Sequence, residues 1–236
     1  MVITSSYYQT VYNSISPTLC VGGSQIAATH ELRNLGSMMD STMSLRNHII
    51  SIKRSMFFHI RSIGNIRRYL DQTSCIKAVL AFVLSRLDYA NALLLGQSLT
   101  AIHGLQVAQN TAARLVTGTP KSVHITPVLK ELYWLPVHQR IRHKVACLTY
   151  KALNCPQAPE YMQDMLASYT VTRALRSGAA TSRLAVPRTQ NAFGDRAFSV
   201  AAPILWNSMP SSLHTCPTFQ SFKRALKTYL FVEHYH

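Results

Sequence analysis

The stretch from Ser41 to Leu70 constrains the fold more than any other part of the chain. Leu45, Ile49, Ile52, Met56, Ile60 and Ile63 recur at steps of three and four. At 100° per residue they fall within about 80° of one another, the buried stripe of an amphipathic helix. Ser41 or Thr42 can cap its start, and Gly64-Asn65 is expected to break or kink it. Arg46, Lys53, Arg54, Arg61 and Arg68 occupy an adjoining face, spread over about 100° by the same arithmetic. No acid interrupts the stretch. A solvated helix surface usually carries both signs, so a face of one sign points to phosphate contact.

Partners for the buried stripe follow. Asp71 can cap a second helix whose apolar face is Ile76, Val79, Leu80, Val83, Leu84 and Leu87. A third runs from about Thr100 to Val116 and is stopped by "TGTP". Three amphipathic helices with short joins predict a bundle. Before Ser41, short apolar pieces flank Gly22-Gly23, a hairpin signal, and "LRNLGSMMD" reads as a further extended segment kinked at Gly36. After Pro120, helices are predicted over about Thr126 to Leu132, after Pro136, and over "EYMQDML". The C-terminal helix turns Phe219, Phe222, Leu226, Tyr229 and Leu230 inward and Lys223, Arg224 and Lys227 outward. Ser168 to Phe198 has no helical period and reads as extended chain. The fold class is therefore mainly α: a helical bundle with a small N-terminal β hairpin and a second, mostly helical C-terminal section with extended segments.

The charge is strongly one-sided, with 24 Lys and Arg against nine acids and a net +15. That balance predicts a polyanionic partner, most often nucleic acid and less often an anionic membrane surface, and charge alone does not separate them. The N-terminus has neither a basic n-region nor an apolar h-region, and the run Ala78 to Leu84 is too short to span a bilayer. The expectation is an intracellular protein of cytoplasm or nucleus, not secreted and not in a membrane. The five scattered cysteines contain no C-x-x-C and read as reduced thiols, with Cys75 and Cys147 in the core.

Catalytic signals are sparse. In "SRLDYANALLLG", Asp88 could be half of a carboxylate pair or a helix-end residue with no chemistry. Two-metal catalysis needs clustered carboxylates. No two of the nine acids are adjacent, and only Glu160 and Asp164 lie within one turn, after Pro159, where acids favour a helix start. His138 and His143 are five apart with no cysteine at finger spacing, so surface histidines are the simpler reading. Serine-nucleophile and phosphate-cradling glycine motifs are absent. Trp134 and Trp206 could stack on bases, but their apolar neighbours favour core anchors.

Several segments together carry a resemblance. "LRNLGSMMD", "SRLDYANALLLG", "LQVAQNTAARLVTGTPKSVHITPVLKELYWLPVHQRI", "ALRS", "GDRAFSVAAPILWNSMP" and "FKRALKTYLF" occur in order. They resemble the C-terminal part of reverse transcriptases from non-LTR (LINE-type, jockey-like) retrotransposons, from roughly Thr18 to Phe231. Where that family usually has His before Trp134, this chain has Tyr133.

The resemblance implies residues 1–40 as a palm remnant with its β hairpin, 41–120 as a thumb-like bundle, and 121–236 as the C-terminal extension. The family's polymerase site lies in the palm, at an Asp-Asp motif that binds magnesium. No Asp-Asp occurs here, so no catalytic residue carries over and no cofactor is expected. Translation from an internal Met of a genomic remnant would account for the missing N-terminal two-thirds. A thumb holds template–primer by its sugar-phosphate backbone, which makes Arg46, Lys53, Arg54, Arg61 and Arg68 candidate contacts. Arg140, Lys144, Lys151, Arg173 and Arg176 are candidates in the extension. The expected partner is RNA, an RNA–DNA hybrid or DNA. The competing expectation is a non-functional remnant or interaction-only protein, held by chaperones through exposed apolar surface.

Overall fold

The computed structural model describes residues 18–27, 29–168, 183–190 and 193–235. Strands β1 (Thr18–Val21) and β2 (Ser24–Ala27) pair antiparallel with Val21 opposite Ser24. Gly22 and Gly23 take the turn with φ of +56° and +83°, the double positive φ that a two-residue hairpin favours. The segment expected to kink at Gly36 is a second full hairpin, β3 (Glu31–Asn34) and β4 (Ser37–Asp40), turning on Leu35-Gly36.

Helix α1 (Arg46–Ile66) buries the six-residue stripe read from the sequence, from Leu45 to Ile63. Its start is organised by Asp40, not by Ser41 or Thr42. The Asp40 carboxylate accepts from the backbone N–H groups of Thr42 (3.1 Å), Ser44 (2.8 Å) and Leu45 (2.7 Å). The break expected at Gly64-Asn65 does not occur; α1 runs through both and tightens into a 3-10 turn, Arg67–Tyr69. Arg67 explains why the chain ends its helix there. Its guanidinium donates to the carbonyls of Leu115 (2.9 Å), Val116 (3.1 Å) and Leu70 (2.8 Å), a cation on another helix's C-terminal end.

Asp71 caps α2 (Gln72–Val79), accepting from the Ser74 N–H at 3.3 Å. The second helix then opens into a π turn, Leu80–Leu84, before α3 (Ser85–Asp88). A short 3-10 turn, Asn91–Leu94, leads to α4 (Leu99–Thr117), capped by Ser98 and ended by Gly118 at φ +71°. Helices α5 (Ile125–Glu131), α6 (Val137–Asn154) and α7 (Glu160–Asp164) follow. Ser168 and Leu184 form an isolated antiparallel bridge within the segment read as extended. The chain closes with α8 (Phe198–Ser208), α9 (Ser211–His214) and α10 (Phe219–Tyr235). The fold is mainly α, as the periodicity predicts.

Two hydrophobic cores result. The first gathers α1 to α4 around Met56, Val83, Leu105 and Ala112, and it does not stop at Pro120: Val128, Trp134, Val137 and Ile141 belong to it. The second packs Tyr150 of α6 against Trp206, Phe222 and Leu226. Both tryptophans are buried anchors, and Trp206 stacks on His214 with centroids 4.5 Å apart. Cys75 and Cys147 are buried as expected.

Helix α6 therefore faces both cores, and polar clamps set its position. The fully buried Gln109 donates to the Leu135 carbonyl at 2.8 Å, and Gln106 accepts from the Val137 N–H at 2.8 Å. Asp88 receives the Arg140 Nη1 on both carboxylate oxygens, at 2.9 and 3.1 Å. That settles the ambiguity of Asp88 in favour of structure. Tyr89 donates its hydroxyl to the Leu35 carbonyl, tying the second hairpin to the bundle. Arg86, two residues before Asp88, is exposed.

Replacing Asp88 by Ala leaves the Arg140 guanidinium without its carboxylate. We expect a loss of about 1–2 kcal/mol, held to the low end by the partial exposure of Asp88. Urea unfolding at pH 7 measures it, and an unchanged midpoint would remove the pair from this role.

Candidate nucleic-acid interface

Two basic surfaces emerge from this packing. The first is the outward face of α1. Because the apolar stripe is committed to the first core, the cations beside it must point away from that core. Arg46, Arg54 and Arg61 are exposed, and Arg68, in the 3-10 turn, is exposed with its guanidinium 4.6 Å above the Tyr69 ring. Lys53 differs: it is half-buried, and its stem runs over Gly104 of α4. A Cβ at Gly104 would lie 3.0 Å from Lys53 Cδ, so the glycine makes room for that stem. Among the described residues none of these five cations forms an ion pair; the pairs there are Arg140–Asp88 and Arg142–Glu233.

The second surface is a cleft of about 670 Å³ where α6 and α10 meet the second helix. Arg140, Lys144 and Lys151 line it from α6, and Lys223 and Lys227 from α10. Asp88 is the acid in the lining, and Arg140 already occupies it. Arg140 also donates through Nε to the Leu135 carbonyl at 3.0 Å, so it is an anchored wall residue and not a free cation. Lys223 and Lys227, read from the sequence as facing outward, border the cleft from α10; Lys223 is exposed as expected, and Lys227 is half-buried. Their four-residue spacing is visible in the sequence, but periodicity does not say which helix lies beside them.

Aromatic rings hold two of these lysines in place. Lys227 Nζ sits 4.5 Å from the centre of the Tyr133 ring, and Lys151 Nζ sits 4.6 Å from that of Phe219. The other neighbour of Tyr133 is Phe231, with centroids 4.4 Å apart, and its hydroxyl is 3.1 Å from Thr228 Oγ1. Tyr133 is thus a packing residue.

Burial pushes the Lys227 amine below its ordinary value, and Arg140 and Lys223 push the same way. Burial also lowers His143, which keeps it neutral at pH 7 despite its contact with the Lys223 carbonyl. Burial drives the Cys147 thiol up to about 11, against the pull of Lys223, Lys144 and Lys151. Cys147 and His143 lie 3.9 Å apart, but a protonated thiol beside a neutral imidazole is not an activated nucleophile.

Arg173 and Arg176 lie outside the described residues. Among the described residues, no group of three or more His, Cys, Asp or Glu could hold a metal ion, and no helix is long and apolar enough to cross a membrane.

The chain is similar to a known polymerase. It is 23% identical over 177 residues, 74% of its length, to the RNA-directed DNA polymerase from mobile element jockey of Drosophila funebris. The similarity supports a relationship to reverse transcriptases. The matched chain spans only 18% of that polymerase. No family model matches the chain. No solved structure matches it.

The raised Cys147 value predicts slow chemistry. At pH 8 a disulfide-exchange reagent should label the exposed Cys20 quickly and Cys147 only after denaturation. Peptide mapping of the labelled chain reads this, and rapid native labelling of Cys147 would contradict the buried, protonated thiol.

Proposed function

We propose that this chain corresponds to the end of the palm, the thumb and the C-terminal extension of a non-LTR retrotransposon RNA-directed DNA polymerase. Its role in this reading is to hold template–primer or RNA by the sugar-phosphate backbone. The polymerase's metal chemistry would reside in a palm with the Asp-Asp motif, which this sequence lacks. The observation that carries the proposal is the outward face of α1, where cations without ion-pair partners follow one another and no acid intervenes from Ser41 to Leu70. The similarity to the jockey polymerase supports the same direction.

Backbone contact has a distinctive signature. An RNA–DNA hybrid is close to A-form, with a wide, shallow minor groove that side chains meet through sugar and phosphate. Affinity is then sequence-tolerant and falls steeply with salt, because each neutralised phosphate releases counterions. Arg54, Arg61 and Arg68 are the exposed cations on which that test is made.

A second reading has an observation of its own. Phe58 and Phe82 are 63% and 53% exposed, with His59 between them at 5.2 and 5.8 Å. Exposed aromatic surface of this kind suits a protein partner. The interaction-only reading therefore places affinity in apolar contact.

One experiment separates the two. Binding of the full chain to an RNA–DNA hybrid is measured across a salt series, with and without Arg54→Gln, Arg61→Gln and Arg68→Gln together. The triple variant should weaken binding by at least tenfold at low salt. It should also flatten the log–log salt slope by about 0.9 for each phosphate that is no longer neutralised. Equal affinity and slope would overturn the nucleic-acid reading and favour the apolar one.

A further inference from the structure

We propose that the cleft between α6 and α10 holds one unpaired nucleotide of a nucleic-acid strand. Lys144, Lys151, Lys223 and Lys227 would meet the phosphates on either side of that nucleotide, and the apolar lining residues Ile76, Leu80 and Leu148 would meet the base. This deepens the reading above and rests on it, but it concerns a different surface from the α1 face.

Three features of the cleft point to this chemistry. Its volume of about 670 Å³ lies in the range of small-molecule sites, room for a base, sugar and phosphate together. Its charge is one-sided: once Arg140 has taken Asp88, four lysines remain with no further carboxylate among the described residues of the lining. Cations gathered without counter-charges favour an anionic ligand. Ile76, Leu80 and Leu148 add apolar side chains to its lining, which a bare phosphate site does not need. A duplex offers its base faces only to neighbouring pairs, so apolar lining selects a base that has left the stack.

The local backbone is unusual at the same place. Leu80 begins the π turn, is 45% exposed, and lies in the cleft wall. Single π turns inside helices concentrate at functional sites, because the extra residue re-aims side chains. Asn91, 2% exposed, also borders the cleft, and its Oδ1 has no hydrogen-bond partner among the described residues. A buried acceptor left open is uncommon. A small shift would let it receive a base amino group. Two of the lysines are also preplaced: Lys227 and Lys151 lie against the Tyr133 and Phe219 rings, which reduces the ordering cost of binding.

The test titrates the full chain with adenosine monophosphate, inorganic phosphate and a short glutamate-rich peptide, by calorimetry. Binding of the same preparation to the RNA–DNA hybrid is measured in parallel. Adenosine monophosphate should bind at least tenfold more tightly than inorganic phosphate or the peptide. Lys223→Gln with Lys227→Gln should weaken both the nucleotide and phosphate by about tenfold or more. Leu80→Gln, at an exposed position, should weaken the nucleotide about tenfold and leave phosphate unchanged; thermal melting confirms that each variant is folded. Equal binding of nucleotide and phosphate, preference for the peptide, or indifference to Leu80→Gln would overturn the proposal. Hybrid binding that survives while the nucleotide fails would sink the cleft inference alone. Nucleotide binding without hybrid binding would sink the α1 reading and spare the cleft.

Discussion

Helix α6 is shared between two hydrophobic cores, and the rest of the arrangement depends on where it lies. Ile141 packs into the first core and Tyr150 into the second. A helix with two apolar commitments has little freedom to rotate, and three polar contacts remove more of it. Gln109 holds the Leu135 carbonyl, Gln106 receives the Val137 N–H, and Asp88 grips Arg140. Those contacts bind the N-terminal end of α6 to the bundle. They also fix the direction in which Lys144 and Lys151 point, and hence the cleft that α10 completes.

The two basic surfaces follow from the same rule. Apolar stripes choose what is buried, and the cations inherit what is left. On α1 the inherited face is open and of one sign. On α6 and α10 the cations border a shared cleft, with Lys144 and Lys227 half-buried and Lys151 and Lys223 exposed. The Tyr133 ring replaces part of the hydration that burial removes from Lys227, and the Phe219 ring lies against the exposed Lys151. The depressed Lys227 records the remaining cost.

Much of this is legible in the sequence wherever a local period decides the outcome. The α1 stripe, the Asp71 cap and the hairpin at Gly22-Gly23 follow from spacing or turn chemistry, and the burial of the tryptophans follows from their apolar neighbours. Features set by tertiary contact are not legible. Asp40, and not Ser41 or Thr42, starts α1, because its carboxylate reaches three backbone donors only after the chain has turned back on it. Gly64-Asn65 stays helical because Arg67 anchors the following turn on α4. The π turn leaves no mark in a period of 3.6. Arg140 looks like its neighbours Lys144 and Lys151, and only its pairing with Asp88, 52 residues away, separates it from them.

Lysine footprinting tests the central claim most directly. The chain is acetylated briefly with and without an RNA–DNA hybrid carrying a single-stranded overhang, and each lysine is read by mass spectrometry. The account predicts protection of Lys144, Lys151, Lys223 and Lys227 in the cleft and of Lys53 beside the α1 face, with the exposed loop residue Lys121 unchanged. Protection spread evenly over all lysines, or protection of Lys121 alone, would contradict it.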